Sequence, residues 1–361
     1  MTNRNLLFNV LTTDHHHYAN KRLESRNMTF DFARGLAVFF MVFIHVMGVY
    51  SANNVQYSFF YDFMDFLGSP PAAPVFMFSM GVFFMLSSKS GSLSAGVMRG
   101  VKILLLGCLL SFLREDFLIL LDGELTNINF LSNDSLITLW EVDILQFAGW
   151  AYILMSLIKA CFKKPIWWLV IAISIMIASP LLWGTTTNVL PLNWIFNYLW
   201  GSQEVVYFPI FGWLFYPLIG MIFGLMMKAS SDLNGLFNSL IKPGIALLIL
   251  GTIITATDFG YHIGDYYRSG PGSMVWITGF LFTWVWLINR AIEKIQENKV
   301  FNVIYYWGKE TTSIYIIHWL LISWGALLIG YENQSYIGTI FLMGMFSIVT
   351  HYLSKFIKVK I

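Results

Sequence analysis

The sequence contains little of what soluble enzymes use to bind nucleotides or metals. Only 2 of its 361 residues are cysteine, and charged residues make up 12%. Cys108 falls inside an apolar segment and Cys161 at the end of another, so neither is placed for a disulfide and redox chemistry is not expected. No phosphate-binding glycine loop, dinucleotide fingerprint, paired-cysteine zinc site or HExxH helix occurs. These absences exclude the common nucleotide-binding and metalloprotease classes.

Long hydrophobic runs dominate the chain instead. Hydrophobic residues make up 57% of it, and about 20 apolar residues suffice for a helix to cross ~30 Å of hydrocarbon. The pattern predicts an all-α, polytopic membrane protein with about ten transmembrane helices. We place them near residues 30–50, 72–88, 100–120, 142–161, 166–183, 207–227, 244–257, 273–290, 311–329 and 336–354. No inverted repeat of broken helices is visible, which disfavours a secondary transporter.

Basic residues lie almost entirely on one side of the predicted membrane. Of the 22 Lys and Arg residues, only Arg114 and Arg268 fall on the other side. Because positively charged loops face the cytoplasm, both termini are predicted to be cytoplasmic, in a plasma (inner) membrane. The opposite loops carry the acidic residues Asp62, Asp65, Glu115, Asp116, Asp122, Glu124, Asp134, Glu204, Asp258 and Glu332. The distribution of charge, and not the net charge of +2, sets this orientation.

The domain prediction is a cytoplasmic tail at 1–27 and one transmembrane domain at 28–361. The first span starts too late and is too long for a cleaved signal peptide. The run His15-His16-His17 falls in the tail, where adjacent residues on a solvated segment present no fixed coordination geometry, so we expect no metal site. Membrane lipids are expected partners and nucleic acid is not, while a homo-oligomer is left open.

Ionisable side chains inside a span cost roughly 2.5–3.5 kcal/mol at its centre and therefore mark candidate functional positions. In the first span, helical spacing puts Asp31, Arg34 and His45 on one stripe. His45 lies about 16 Å along the helix from Arg34, past mid-membrane. It is either an acid–base group or a buried histidine bonded to a neighbouring helix. Asp31 and Arg34 either serve the site or form a pair at the helix end.

The ninth span carries a second polar stripe. Thr311, Tyr315, His318 and Gly325 recur at helical spacing, which favours burial in the bundle over exposure to lipid. His318 is expected about 10 Å from the cytoplasmic end of this helix. The stripe serves either helix packing or the binding of a cytoplasmic donor.

Two further sets of residues lie toward the outer face. Asp143 and Gln146 share a helix face with Trp150, a combination that suits a polar sugar and is just as typical of an interfacial aromatic belt. Arg114 ends the third span beside Glu115. As one of two outer basic residues, it is a candidate for substrate binding.

Several segments resemble, in order, those of the transmembrane acyltransferase superfamily. The first span has aromatic-Asp-x-x-Arg-Gly and then Met-x-x-x-His, in MTFDFARGLAVFFMVFIHVMG. PAAPVFMFSMGVFFMLSS, VMRGVKILLLGCLLSFL and VDILQFAGWAYIL are similar to the second, third and fourth helices of the family. WGKETTSIYIIHW is similar to a late family helix, with Thr311 in place of a serine. The branch that it most resembles is the heparan-alpha-glucosaminide N-acetyltransferase-like catalytic domain.

This resemblance implies an acyl-CoA donor on the cytoplasmic side, an acceptor glycan on the other side, and a membrane-embedded catalytic histidine. His45 fits that role, with Asp31 and Arg34 at the inner end of the path. His318 and Tyr315 would contact the donor, acetyl-CoA. Its phosphates would meet Arg99 and Lys102, although the excess of basic residues on the cytoplasmic side explains these two residues equally well. Asp143, Gln146 and Arg114 would bind the sugar. Two departures are Asp143, where relatives often have glycine, and the lack of a histidine in the loop after the first span.

The leading hypothesis is therefore an integral-membrane acyltransferase that moves an acetyl group to an amine or hydroxyl of an extracytoplasmic glycan. A proton-coupled transporter, or a carrier of lipids or glycans, would use the same buried His and Asp as a proton relay. A noncatalytic membrane scaffold is the third alternative.

Overall fold

A computed structural model describes residues 3–18, 28–87, 92–118, 141–201, 206–295 and 298–359. It confirms a polytopic helical membrane protein: eight helices in these ranges are long and apolar enough to cross a membrane. Two shorter apolar helices match the fifth and sixth predicted spans. The α-helices are α1 (Asn3–Thr12), α2 (Met28–Tyr50), α3 (Asn53–Gln56), α4 (Phe59–Gly68), α5 (Ala73–Leu86), α6 (Leu93–Ser111), α7 (Ile144–Cys161), α8 (Ile166–Leu182), α9 (Leu190–Trp200), α10 (Ile210–Trp213), α11 (Phe215–Ala229), α12 (Leu233–Asn238), α13 (Ile241–Thr255), α14 (Phe259–Ile263), α15 (Pro271–Lys294), α16 (Lys299–Lys309), α17 (Thr311–Ile329) and α18 (Tyr336–Phe356).

Several boundaries differ from those predicted. The apolar run of the second span begins at Phe59, and α4 and α5 divide it around a turn. The third span begins at Leu93, and its last turn is a π-helix, Phe112–Asp116. Helix α16, which is amphipathic and lies between the eighth and ninth spans, was not predicted. Some of the charged residues used for the orientation lie outside the described residues: Lys21, Arg22, Arg26, Lys89, Asp122, Glu124, Asp134 and Glu204.

The chain divides into two compact units. The first comprises residues 1–27, 76–107 and 141–293, and the second comprises 28–75, 108–140 and 294–361. Because the division follows spatial contacts and not chain order, each unit is assembled from three separate segments. The two are described separately below.

In the first unit, glycines let apolar helices approach closely, as is common in membranes. A Cβ on Gly81 of α5 would overlap the carbonyl of Pro217 in α11, and one on Gly220 would overlap the carbonyl of Phe78. Gly100 of α6 and Gly149 of α7 face each other in the same way. At these crossings the backbones of the paired helices are in close contact.

The expectation of a solvated tail is wrong for residues 3–18, which form α1 and a short 3₁₀ helix, His15–Tyr18. His15 is only 2% exposed, because its ring packs against Trp168 and its Nδ1–H donates to the Lys163 carbonyl at 2.7 Å. Leu6 and Val10 of α1 are also buried. The polar residues 13–17 predict that the whole tail is solvated, and so the sequence does not reveal the apolar face of α1, which packs against α11.

The second unit is built around α2, which packs against α16, α17 and α18. A Cβ on Gly308 of α16 would overlap the carbonyl of Asp31, and one on Gly35 would overlap the carbonyl of Ile304. Higher along α2, the Tyr50 hydroxyl donates to the Ile322 carbonyl of α17 at 2.6 Å. The apolar core between these helices includes Val38, Val42, Val46, Met47, Trp307, Ile314, Ile322, Leu342, Met343 and Phe346.

Candidate active site

Two histidines from separate spans meet in the second unit. His45 Nδ1 lies 2.9 Å from His318 Nε2, and the two rings are nearly parallel, at an angle of 5°. His318 is fully buried, whereas His45 is half-buried. The sequence predicts that His318 contacts the donor, and in the fold it is the direct neighbour of His45.

The hydrogen bonds of this pair define which nitrogens carry protons. His318 Nδ1 lies 3.0 Å from the Ile314 carbonyl, which can only accept, so Nδ1 is the donor. In the neutral ring Nε2 is then an acceptor, and His45 Nδ1–H donates to it. The lone pair of neutral His45 is thereby left on Nε2. A histidine held in this tautomer by a second group has the arrangement of a general base.

Trp319 and Arg114 complete the surroundings of His45. The indole of Trp319 stacks on the His45 imidazole with a centroid distance of 4.0 Å, and the Arg114 guanidinium lies 4.3 Å from the centre of the Trp319 ring. Arg114 is 5% exposed and pairs with Glu115 at 2.7 Å. Trp319 Nε1 is buried, with no hydrogen-bond partner among the residues that the structure describes.

The π-helical turn Phe112–Asp116 positions Arg114. Single π-helical turns are frequent at functional sites, because they turn side chains away from the ordinary helical positions. Trp324 of α17 donates from Nε1 to the carbonyl of Leu113 within this turn, at 3.0 Å. The turn is therefore tied to the same helix that carries His318.

Arg34 and Thr311 set the register between α2 and α17. Arg34 donates from Nη2 to Thr311 Oγ1 at 3.0 Å, and the Thr311 hydroxyl lies 2.9 Å from the Gly308 carbonyl. Counted from Arg34, His45 lies eleven residues along α2, and counted from Thr311, His318 lies seven residues along α17. The two histidines therefore differ in their position along the helices by about 6 Å. The side chains of the two histidines bridge that difference.

Asp31 and Tyr315 belong to the same unit. Asp31 is 1% exposed and its backbone lies against Gly308, while Tyr315 is 4% exposed and meets the His318 ring edge-on, with a centroid distance of 5.2 Å. Six of the ten predicted site residues therefore fall in one unit: Asp31, Arg34, His45, Arg114, Tyr315 and His318.

The other four predicted residues fall in the first unit. Asp143 caps α7, with its carboxylate accepting from the Ile144 N–H at 2.6 Å. Gln146 is 1% exposed and packs against Gly107 of α6. Arg99 is exposed, with its guanidinium 4.9 Å from the centre of the Tyr152 ring, and Lys102 is exposed on the same helix.

One model of a known protein family matches most of the chain. The model of the family 3 Acyltransferase domain matches residues 29–354, which include most of each unit. The chain belongs to this acyltransferase family. None of the curated proteins matches it. The chain is therefore an integral-membrane transferase, and the broader resemblance stated from its sequence is confirmed.

Sequence reasoning missed two features of this acyltransferase. Trp319 follows His318 directly, but tryptophan is frequent in this chain, so its contact with His45 had no distinct signal. The second is the proximity of Asp14, His15 and His16, whose ligand atoms lie within 4.8 Å of one another. Since His15 Nδ1 is committed to the Lys163 carbonyl, only Nε2 of that ring remains for another ligand.

Proposed function

We propose that this acyltransferase moves an acetyl group from cytoplasmic acetyl-CoA to an amine or hydroxyl of an extracytoplasmic sugar or glycan. The observation that carries the proposal is the hydrogen bond between His45 and His318, which orients a membrane-embedded base. The narrower resemblance to the heparan-alpha-glucosaminide N-acetyltransferase-like domain supports the acetyl donor and the sugar acceptor. Membership of an acyltransferase family favours transfer over transport.

In the proposed reaction, His45 Nε2 removes a proton from the acceptor while the acceptor's oxygen or nitrogen attacks the thioester carbonyl. The carbon–sulfur bond then breaks, and the CoA thiolate takes the proton from the His45 imidazolium. His318 accepts the Nδ1–H bond throughout and stabilises the imidazolium that forms. Proton transfer of this kind contributes roughly 10²–10⁴-fold to the rate.

The buried N–H of Trp319 suits the negative charge that develops on the thioester oxygen. A preorganised donor that has no other partner pays no cost of breaking an existing hydrogen bond when that charge forms. Trp319 stacks on His45 with ring centroids 4.0 Å apart, so its indole lies beside the proposed base. We assign Trp319 as the oxyanion donor.

The remaining residues take the roles that their positions allow. Asp31 and Arg34 fix the inner end of α2 against α16 and α17, and so hold the level of His45. Tyr315 packs on His318. We keep Arg99 and Lys102 as donor-phosphate contacts. Gln146, Asp143 and Arg114 are kept as acceptor contacts.

The test is an acetyl-transfer assay on the purified, reconstituted protein, with CoA release measured against a panel of amino and neutral sugars. His45→Ala should lower turnover roughly 10²–10⁴-fold with little change in acetyl-CoA binding. His17→Ala, which removes an exposed histidine, is the matched control. Near-normal turnover in His45→Ala would contradict the assignment. Substrate uptake that collapses with the proton gradient, without CoA release, would favour a carrier.

The proposed orientation has both termini in the cytoplasm. With Cys108 and Cys161 replaced by serine, Asn53→Cys should react with an impermeant thiol reagent added outside sealed cells, and Ser231→Cys should not. Both positions are exposed, so access to the reagent depends on the side of the membrane. The reverse labelling pattern would overturn the orientation.

A further inference from the structure

The first unit contains a partly open cavity of about 520 Å³, well away in sequence from the histidine pair. Its walls come from α1, α8, α11, α13 and α15, with Phe215 and Met226 at the two ends of the lined stretch of α11. Those residues are eleven apart, which corresponds to about 16 Å along a helix, or roughly half of a ~30 Å hydrocarbon core. The cavity therefore extends over about the depth of one leaflet.

The lining of this cavity is apolar. It includes no charged side chain, and its two hydroxyl groups are already used by backbone carbonyls. The Ser239 hydroxyl donates to Leu236 and that of Thr278 to Met274, both at 2.7 Å. A sugar or a phosphate would lose its hydrogen bonds to water here without replacement. An apolar cavity of this size instead suits a hydrocarbon ligand.

Three lysines are close in sequence to residues that line the cavity. Lys242 directly precedes Pro243, which lines the cavity, and Lys163 and Lys164 lie one turn before α8, whose Leu169 lines it. All three lysines are exposed. The bond from His15 to the Lys163 carbonyl brings the end of α1 to the same place. An apolar cavity beside exposed lysines complements a ligand with a hydrocarbon chain and an anionic head.

We propose that an anionic phospholipid binds the first unit, with one acyl chain in this cavity and its phosphate at Lys163, Lys164 and Lys242. Helix α1 supplies Leu7 and Leu11 to the lining, so the N-terminal segment forms one wall of the cavity. Basic residues at a helix end attract anionic headgroups. The binding is independent of acetyl transfer and does not rest on the proposed reaction.

The test uses the full-length protein in phosphatidylcholine vesicles that contain a phosphatidylglycerol with a photoreactive diazirine in one acyl chain. After irradiation, labelled residues are mapped by mass spectrometry. The label should fall on α8, α11 and α15 at lining residues such as Ile173, Ile219 and Val275. Labelling of exposed apolar residues all around the protein, without enrichment there, would overturn the proposal.

Matched variants distinguish binding of an acyl chain in the cavity from general contact with lipid. Ile173→Trp fills the cavity and should lower this labelling several-fold, whereas Ile177→Trp, on an exposed part of the same helix that does not line the cavity, should not. Replacing Lys164 and Lys242 by Gln should also lower it several-fold, and Lys355→Gln should not. The proposed site would be wrong if Ile173→Trp and Ile177→Trp were labelled equally, or if the lysine double variant and Lys355→Gln were labelled equally.

Competition experiments distinguish a phospholipid from an acyl donor as the source of the acyl chain in the cavity. An excess of unlabelled phosphatidylglycerol should displace the label, and an equal excess of phosphatidylcholine should not. Displacement by both lipids alike would refute the anionic headgroup contact. Displacement by palmitoyl-CoA alone would show that the cavity takes the acyl chain of a donor, and the phospholipid proposal would then be wrong.

Discussion

His45 and His318 stand 273 residues apart in sequence and share one hydrogen bond, with Nδ1 2.9 Å from Nε2. Since His318 Nδ1 is held by the Ile314 carbonyl, this bond leaves His45 with its lone pair on Nε2. Neither helix alone contains that information. The tautomer of the proposed base is therefore a property of the packing between α2 and α17.

The two histidines should behave as one unit in a double-mutant cycle. His318→Ala removes the acceptor of the His45 Nδ1–H, and His45→Ala removes the base, so the double variant should be little worse than His45→Ala alone. The coupling energy should be about 0.5–3 kcal/mol. His318→Gln, which offers an amide oxygen as acceptor, should recover part of the turnover and of the pH profile. Additive effects in kcat would show that the residues act separately.

Trp319→Phe should lower kcat while leaving the KM for acetyl-CoA almost unchanged. Phenylalanine keeps the stacking on His45 but lacks the N–H, and loss of one oxyanion donor costs roughly 10²–10³-fold in kcat. The matched control is Trp284→Phe in α15, which removes another buried indole N–H that has no hydrogen-bond partner among the described residues. If Trp319→Phe turned over normally, its N–H would have no part in the reaction.

Gly308→Ala should destabilise the second unit. The added Cβ would overlap the Asp31 carbonyl, and overpacking of this kind costs about 1–3 kcal/mol. Gly344→Ala in α18 meets no atom within 4 Å and should be neutral or slightly stabilising, because alanine favours helix. Thermal unfolding in detergent measures both. A melting temperature for Gly308→Ala equal to that of Gly344→Ala would mean that α2 and α16 are not in close contact.

Docking of the N-terminal segment should weaken in acid. Burial lowers the pKa of His15 below its ordinary value of 6.5. The folded segment therefore binds fewer protons than the unfolded one, and its stability rises with pH. The stabilisation is complete above pH 6.5 and is lost as the pH falls from there toward the lower folded pKa.

Hydrogen-exchange protection factors for residues 3–12 provide the measurement, corrected for the intrinsic pH dependence of exchange. Protection should fall between about pH 7.5 and about pH 5.5 in the wild-type protein and in the exposed-site variant His17→Ala. His15→Asn can still donate to the Lys163 carbonyl but does not titrate, and should remove the dependence. A dependence that survives in His15→Asn would assign the effect to another group.

Much of the fold could be predicted because the signals are local. Each of the ten apolar runs corresponds to an apolar helix, and the stripes that carry His45 and His318 both face protein. Their pairing could not be predicted, since it depends on the glycine contacts that set α2 against α16 and on the bond from Arg34 to Thr311. Asp143 is ambiguous for a different reason, because the same carboxylate that suits a sugar also caps a helix.

The last prediction concerns how the acetyl group passes to the acceptor. His45 Nε2 can act as a base in a ternary complex, or it can be acetylated itself and then discharge to the sugar. Direct transfer needs only that the acceptor and the thioester carbonyl lie about 3–3.5 Å apart. An acetyl-imidazole at half-buried His45 would have to survive hydrolysis while it waits for an acceptor. His318 cannot relay the group, because its Nε2 lone pair already accepts the His45 bond. We therefore predict direct transfer: incubation with radiolabelled acetyl-CoA and no acceptor should leave His45 unmodified. A stoichiometric label on His45 that chases into added sugar would establish the acetyl-enzyme route instead.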